Sequence, residues 1–211
     1  MNQRVLFMTI SMLPGLYSSP TLAKEWRFNA TLDGKPIGEH RYTLQQNSDG
    51  IELLSEATFS VKFLYIEFFR YHHTARERWN NGCLSNLQAI TEENGDVTTV
   101  RGEAQSNSFV VRDSKGQRTL PACVSTYAYW NIAMLQQKYL LNPQTGEWSN
   151  ISVEQLGIDS IQTSKRNIQA QHYQLIAAKA RIDLWYTAEN DWVGLRSTTP
   201  EGRIISYQLT E

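Results

Sequence analysis

The chain has 211 residues, with 20 Lys and Arg against 21 Asp and Glu and a formal net charge of −1. That balance excludes a nucleic-acid binder, which needs a basic excess to neutralise phosphates. A content of 41% hydrophobic and only 19% charged residues excludes a disordered chain, and two cysteines are too few for a disulfide scaffold or a cysteine-built zinc centre.

The N-terminus reads as an export signal. Met1-Asn2-Gln3-Arg4 supplies one positive charge, residues 5–17 are uncharged and mostly apolar, and Thr21-Leu22-Ala23 puts small residues at positions −3 and −1 of a cleavage site. The apolar run is about 13 residues, short of the roughly 20 that span a bilayer. Residues 1–23 are therefore expected to be a signal peptide cleaved after Ala23, and residues 24–211 a single exported β domain that does not span the membrane. In an oxidising compartment Cys83 and Cys123 have only each other as intramolecular partners. A disulfide is expected, with two buried free thiols as the alternative.

After the signal the chain alternates. Trp26, Phe28, Ala30 and Leu32 interleave with polar residues at the period of a half-buried strand, and His40, Tyr42 and Leu44 return after the Asp33-Gly34-Lys35-Pro36 turn. Asn47-Ser48-Asp49-Gly50 leads to a long strand over residues 51–63, and a fourth runs from about 65 to 79. Asn80-Asn81-Gly82 closes that strand with strong hairpin chemistry. Strands follow over residues 84–91, 97–104 and 109–112. Between about 126 and 141 the rhythm changes to Ala128, Ile132, Leu135 and Tyr139, a 3–4 spacing that predicts a short helix ended by Pro143 and Gly146. Strand character resumes at Trp148 and continues over residues 151–156, 161–163, 172–176, 181–186, 193–198 and 203–210. The last two are joined by Thr199-Pro200-Glu201-Gly202. Hairpins at this spacing predict a mainly β protein: one strongly curved antiparallel sheet or open β-barrel, with the helix near 126–141 as its cover.

Arg70-Tyr71-His72-His73 and Glu77-Arg78-Trp79-Asn80-Asn81-Gly82-Cys83-Leu84, continuing through Asn94-Gly95, Ser125-Thr126-Tyr127-Ala128-Tyr129-Trp130-Asn131 and Leu141-Asn142-Pro143-Gln144-Thr145-Gly146 to Asp183-Leu184-Trp185-Tyr186 and Gly202-Arg203-Ile204-Ile205-Ser206-Tyr207, carry a resemblance. The chain resembles an exported bacterial family known only as a domain of unknown function. The resemblance covers most of the chain after residue 23 and implies a periplasmic, β-rich protein with no assigned activity. The architecture is also similar to LolA-like half-barrels and lipocalin-like carriers, an analogy of fold alone.

Strand geometry sorts the candidate residues. Tyr71, His73, Ala75, Glu77 and Trp79 share one face of the fourth strand, and Arg70, His72, Thr74, Arg76 and Arg78 share the other. The arginine-rich face reads as solvated, which puts Glu77 on the concave side beside Trp79 and His73; were the arginine face concave, it would suit an anionic head group instead. Consecutive His72 and His73 point oppositely and cannot readily share a metal, so no metal site is expected. A carboxylate among aromatics needs a partner. Glu77 is thus either a polar anchor in a pocket or part of a structural hydrogen-bond network. Trp130 lines a pocket mouth or locks the predicted helix in place. No GxSxG, HExxH, P-loop or GxGxxG pattern is present, and neither a catalytic residue nor a cofactor is assigned. Two functions remain open. One is a periplasmic carrier of a lipid or other apolar ligand, with Tyr71, His73, Glu77, Trp79 and Trp130 as candidate contacts. The other is an interaction module that engages another envelope protein without a small-molecule ligand.

Overall fold

The computed structural model describes residues 22–63, 66–178, 180–199 and 202–210. The expected signal peptide lies outside these residues except for Leu22 and Ala23, which begin the first strand and pair with Gln46 and Gln45. Pro200 and Glu201 of the last expected turn also lie outside them.

The described residues form a 14-stranded sheet. Its strands are β1 (Leu22–Leu32), β2 (Lys35–Asn47), β3 (Gly50–Phe63), β4 (Ile66–Asn80), β5 (Cys83–Glu93), β6 (Asp96–Gln105), β7 (Ser108–Asp113), β8 (Gly116–Leu120), β9 (Tyr139–Leu141), β10 (Trp148–Gln162), β11 (Asn167–Ala177), β12 (Ala180–Tyr186), β13 (Trp192–Thr198) and β14 (Ile204–Leu209). Every neighbouring pair is antiparallel. The spatial order runs from β8 down to β1, then from β14 down to β9, so the first and last strands pair in the middle of the sheet. The edges, β8 and β9, are consecutive in sequence and do not pair with each other among the described residues. The sheet is therefore curled but not closed.

Residues 121–138 carry the chain from one edge to the other. The Leu84 amide donates to the Val124 carbonyl at 2.9 Å and the Leu141 amide to the Ser125 carbonyl at 2.9 Å. Each such bond satisfies a backbone group that would otherwise be left open beside the sheet. Cys83 and Cys123 are joined by a disulfide, with their Cα atoms 5.0 Å apart, which pins the start of this connection to β5.

The helix expected near 126–141 is a 3₁₀ turn at Ile132–Gln136, begun by the Asn131 side chain accepting from the Ala133 amide. Ser125 and Thr126 before it are extended against Leu141, and β9 after it is a strand. The 3–4 spacing does not mark one helical face: Ala128 is buried, Ile132 and Leu135 pack against a core that Met134 enters, and Tyr139 is exposed. The connection thus plugs the concave face with irregular chain where a helix was expected.

The alternation read from sequence holds on β4, where Tyr71, His73, Ala75, Glu77 and Trp79 are buried and Arg70, His72, Arg76 and Arg78 are exposed. It fails on β12, where Ile182 through Tyr186 are all buried. There the far end of the β10–β11 hairpin folds onto the outer face, with the Ser164 amide donating to the Leu209 carbonyl at 3.1 Å. Trp185, Ala170 and Val193 form a small core beneath it.

Candidate functional site: a polar-walled cavity on the concave face

The concave face has two fates along its length. Toward the disulfide it is solid. Trp79, Leu84, Leu87, Val100, Phe109, Val111, Val124 and Leu141 form a closed cluster. The Phe109 ring occupies the space where a side chain on Gly102 would stand, 2.5 Å from its Cβ position. Away from the disulfide, a cavity of about 690 Å³ remains, bounded by β2, β3, β4, β13 and β14 and by Tyr127, Ala128 and Tyr129 of the connection. Its apolar walls include Ile37, Leu53, Phe59, Leu195 and Ile205.

Strand alternation also aims polar groups inward, and most of them satisfy one another. His40 Nε2 lies 2.7 Å from Ser55 Oγ, and its Nδ1 lies 3.0 Å from the Tyr207 hydroxyl and 3.2 Å from that of Tyr42. A neutral imidazole that donates from Nε2 to Ser55 and accepts the Tyr207 proton in the single lone pair of Nδ1 accounts for the two shorter contacts, while the Tyr42 ring stacks on the imidazole with ring centres 4.1 Å apart. Burial, and next the neighbouring His73, push the His40 pKa well below its usual range.

On β4, Glu77 Oε2 accepts from Trp79 Nε1 at 2.9 Å and from Thr126 Oγ1 at 3.2 Å, joining the sheet to the connection. Burial raises its pKa to about 7 against the opposing pull of those two bonds. His73 Nδ1 lies 2.9 Å from Thr91 Oγ1. The Thr91 hydroxyl in turn donates to the Gln144 carbonyl at 3.4 Å. Burial, and next His72, bring His73 down to about 4.

Tyr71 departs from this pattern. Its ring stacks on Phe59 at 5.3 Å and is 8% exposed, yet its hydroxyl is buried with no hydrogen-bond partner among the described residues. Burial, and then the carboxylate of Glu93 across the β4–β5 pair, raise its pKa.

Of the five candidate contacts, Tyr71, His73 and Glu77 line the cavity. Trp79 and Trp130 do not; they meet edge to face at 5.7 Å in the solid part of the core. The sequence reading missed His40, Tyr42, Ser55 and Tyr207 as site residues. The signal was present in the shared phase of His40, Tyr42 and Leu44, but nothing local shows that β14 closes beside β1 and brings Tyr207 to His40. His72 sits on the outer face beside Thr58. The fourth histidine, His172, is buried on the outer face of the sheet, stacked on Trp185, with its ring nitrogens 3.0 Å from Asp159 and 3.0 Å from Asp183. No group of three or more metal-ligating side chains converges among the described residues.

The fold is similar to that of a β-barrel-like protein of the domain of unknown function DUF1849 from Brucella abortus, known from its crystal structure. The match has a TM-score of 0.63 at 11% identity and covers 89% of this chain and 95% of that one. At that identity the likeness concerns the fold alone. No curated protein matches the chain. The family model for DUF6134, a domain of unknown function, matches residues 28–210, and the chain belongs to that family.

Proposed function

We propose that this protein is an exported carrier that holds an apolar ligand in the cavity of its curved sheet. The observation that carries this reading is the contrast within one face: a well-packed core at one end and about 690 Å³ of unfilled space at the other. Protein interiors ordinarily close such voids, and ligand sites fall in roughly the 300–1,000 Å³ range with mostly apolar walls and a few polar groups. The sequence pattern of residues 1–23, one positive charge, an apolar run and small residues at 21 and 23, supports export, and the periplasm is the compartment that the sequence resemblance suggests. There an apolar molecule crossing between membranes needs shelter from water.

The test is native mass spectrometry of the protein purified gently from the cell envelope, followed by solvent extraction. A stoichiometric mass that leaves with organic solvent is the expected result. The same preparation of Ser197→Trp, which puts a large ring into the cavity from β13, is expected to lose that mass. A ligand-free wild-type protein that also fails to bind a neutral apolar fluorophore would overturn the carrier reading and favour docking to another envelope protein.

A further inference from the structure

We propose that the open end of the cavity docks on the surface of a lipid bilayer, with the rim of the sheet as the contact. This rests on the carrier reading and adds the partner with which the cavity exchanges its ligand.

The first support is where the cavity reaches the surface. Its lining flanks the β1–β2, β3–β4, β5–β6, β11–β12 and β13–β14 turns, with Leu32, Phe69, Glu93, Ala178 and Arg203 each beside one of them. An antiparallel sheet alternates its turns between two ends, and Cys83 follows the β4–β5 turn, so these five stand at the end away from the disulfide. The exposed members of the lining are Glu93, Gln144, Ala178 and Arg203. Three of them flank those turns, and the Gln144 carbonyl accepts from Thr91, two residues from Glu93. The cavity therefore meets solvent through this end.

The second support is what the rim is made of. Leu32, Val61, Phe69 and Ala177 line the opening from within. Val97, Ile176 and Ile204 are exposed, Val97 to 65%, and each lies within four residues of a lining residue. The β3–β4 pair also continues past its neighbours. β2 pairs with β3 as far as Phe59, and β5 pairs with β4 from Tyr71. The pairs Val61 with Phe69, Lys62 with Glu67 and Phe63 with Ile66 thus form a ribbon with no third strand among the described residues. Arg70 is level with the β5–β6 turn, its carbonyl accepting from the Asn94 amide at 2.9 Å. Four residues of strand beyond it carry the ribbon about 13 Å further. Of residues 61–63 and 66–69, Val61, Phe63, Ile66, Phe68 and Phe69 are apolar.

Charge at this end favours no ionic partner. Asp33 is paired with Arg203, and Lys62 and Glu67 oppose each other in register. An apolar rim around an apolar opening suits a hydrocarbon surface. A mouth set against a bilayer also lets an apolar ligand pass between the two without crossing water.

The experiment is flotation of the protein purified from the envelope with phosphatidylcholine vesicles, which carry no net charge. The wild type is expected to float with the vesicles, and about 0.5 M NaCl should not release it, because salt screens charge and leaves apolar contact intact. Val97→Glu combined with Ile204→Glu is expected to lower vesicle partitioning at least tenfold with an unchanged Tm. Ile158→Glu is the control: Ile158 is 70% exposed but lies seven residues along β10 from the rim pair Ile151 with Ala177, and its loss should leave flotation unchanged. Ser197→Trp, which fills the cavity, should still float. A wild type that stays with the soluble fraction would give the rim to a protein partner and overturn the assignment. Release by salt, or an equal loss in Ile158→Glu, would overturn it as well. None of these outcomes touches the carrier reading, which the co-purifying mass decides separately.

Discussion

The disulfide end and the cavity end of the concave face are built from the same strands by the same alternation, yet one is filled and the other is not. Along β4 the transition takes only a few residues: Trp79 is sealed in the closed cluster, Glu77 stands at the boundary, and His73 and Tyr71 line the cavity. The difference comes from what reaches the face from outside the sheet. The connection between β8 and β9 delivers Val124, Ala128 and Trp130 to the disulfide end. At the other end it presents Tyr127 and Tyr129 as part of a wall. That wall resists collapse because its inward side chains are held by hydrogen bonds to one another, as in the Ser55–His40–Tyr207 set. Filling stabilises the molecule, and bracing keeps room within it.

The sharpest way to break this comparison is to damage the filled end and ask whether the open end notices. Phe109 is fully buried and occupies the space above Gly102. Phe109→Ala is expected to lower unfolding free energy by roughly 3–5 kcal/mol in urea titrations. The surviving folded protein should bind the neutral fluorophore with unchanged affinity. Loss of affinity in step with stability would mean that the two ends are one cooperative structure.

Replacing both Cys83 and Cys123 by Ala removes the clamp where the connection starts. The loop spans 40 residues, which in the chain-entropy model corresponds to about 3–4 kcal/mol. The denaturation midpoint should fall accordingly. The expected consequence for the cavity is smaller, because Tyr127 and Tyr129 remain tied by Thr126 to Glu77 and by the Tyr129 carbonyl, which accepts from the Tyr186 hydroxyl at 2.8 Å.

Glu77 reports on the boundary through pH. Its folded pKa, about 7, lies above the ordinary 4.5, so the native state holds a proton that the unfolded chain releases. Stability from this group is complete below about pH 4.5, falls as pH rises toward about 7, and is flat above that. The loss is on the order of 3 kcal/mol. His73 and His40, depressed below 6.5, act in the opposite sense: their contribution is present above that value and is lost as pH falls through their folded pKa values. Glu77→Gln keeps an oxygen to accept from Trp79 and Thr126 but cannot ionise. It is expected to match the wild type near pH 4 and to exceed it by about 3 kcal/mol at pH 8. Urea titrations of the two proteins at several pH values cancel the shared histidine slope and isolate the carboxyl.

These residues also mark how far the sequence could be read. Alternation on β4 assigns Tyr71, His73, Glu77 and Trp79 to one face because side-chain direction in a strand is a local property with a period of two. Whether that face is packed or hollow is decided by what arrives from elsewhere in the chain. Trp79 and Tyr71 therefore look equivalent in sequence and differ in the folded protein. The spacing of Ala128, Ile132, Leu135 and Tyr139 misled for a related reason: the first three reach the core from an irregular segment while Tyr139 is exposed, so the four do not share one buried helical face. The unbroken burial of Ile182 through Tyr186 on β12 was equally hidden, since it depends on the β10–β11 hairpin folding onto the outer face. The pairing of β1 with β14 unites residues 167 positions apart, His40 and Tyr207, and no local pattern announces it.

The smallest expected effect is the most informative about the open end. Tyr71→Phe deletes one oxygen that has no partner among the described residues and keeps the ring on Phe59. A buried tyrosine shortened in this way ordinarily costs stability, because its hydroxyl is usually bonded. Here the reverse is expected, a gain of about 1 kcal/mol, since the fold no longer buries a donor without an acceptor. Tyr42→Phe is the counterpart within the same wall. Its hydroxyl lies 3.2 Å from His40 Nδ1, and its loss is expected to cost about 1 kcal/mol. Paired urea titrations of the two variants in ligand-free protein decide the matter by sign. Opposite signs mean that the Tyr71 hydroxyl is a buried donor without an acceptor, while that of Tyr42 braces the wall. Destabilisation of both by the same amount means that the Tyr71 hydroxyl is satisfied in solution, by ordered water for example.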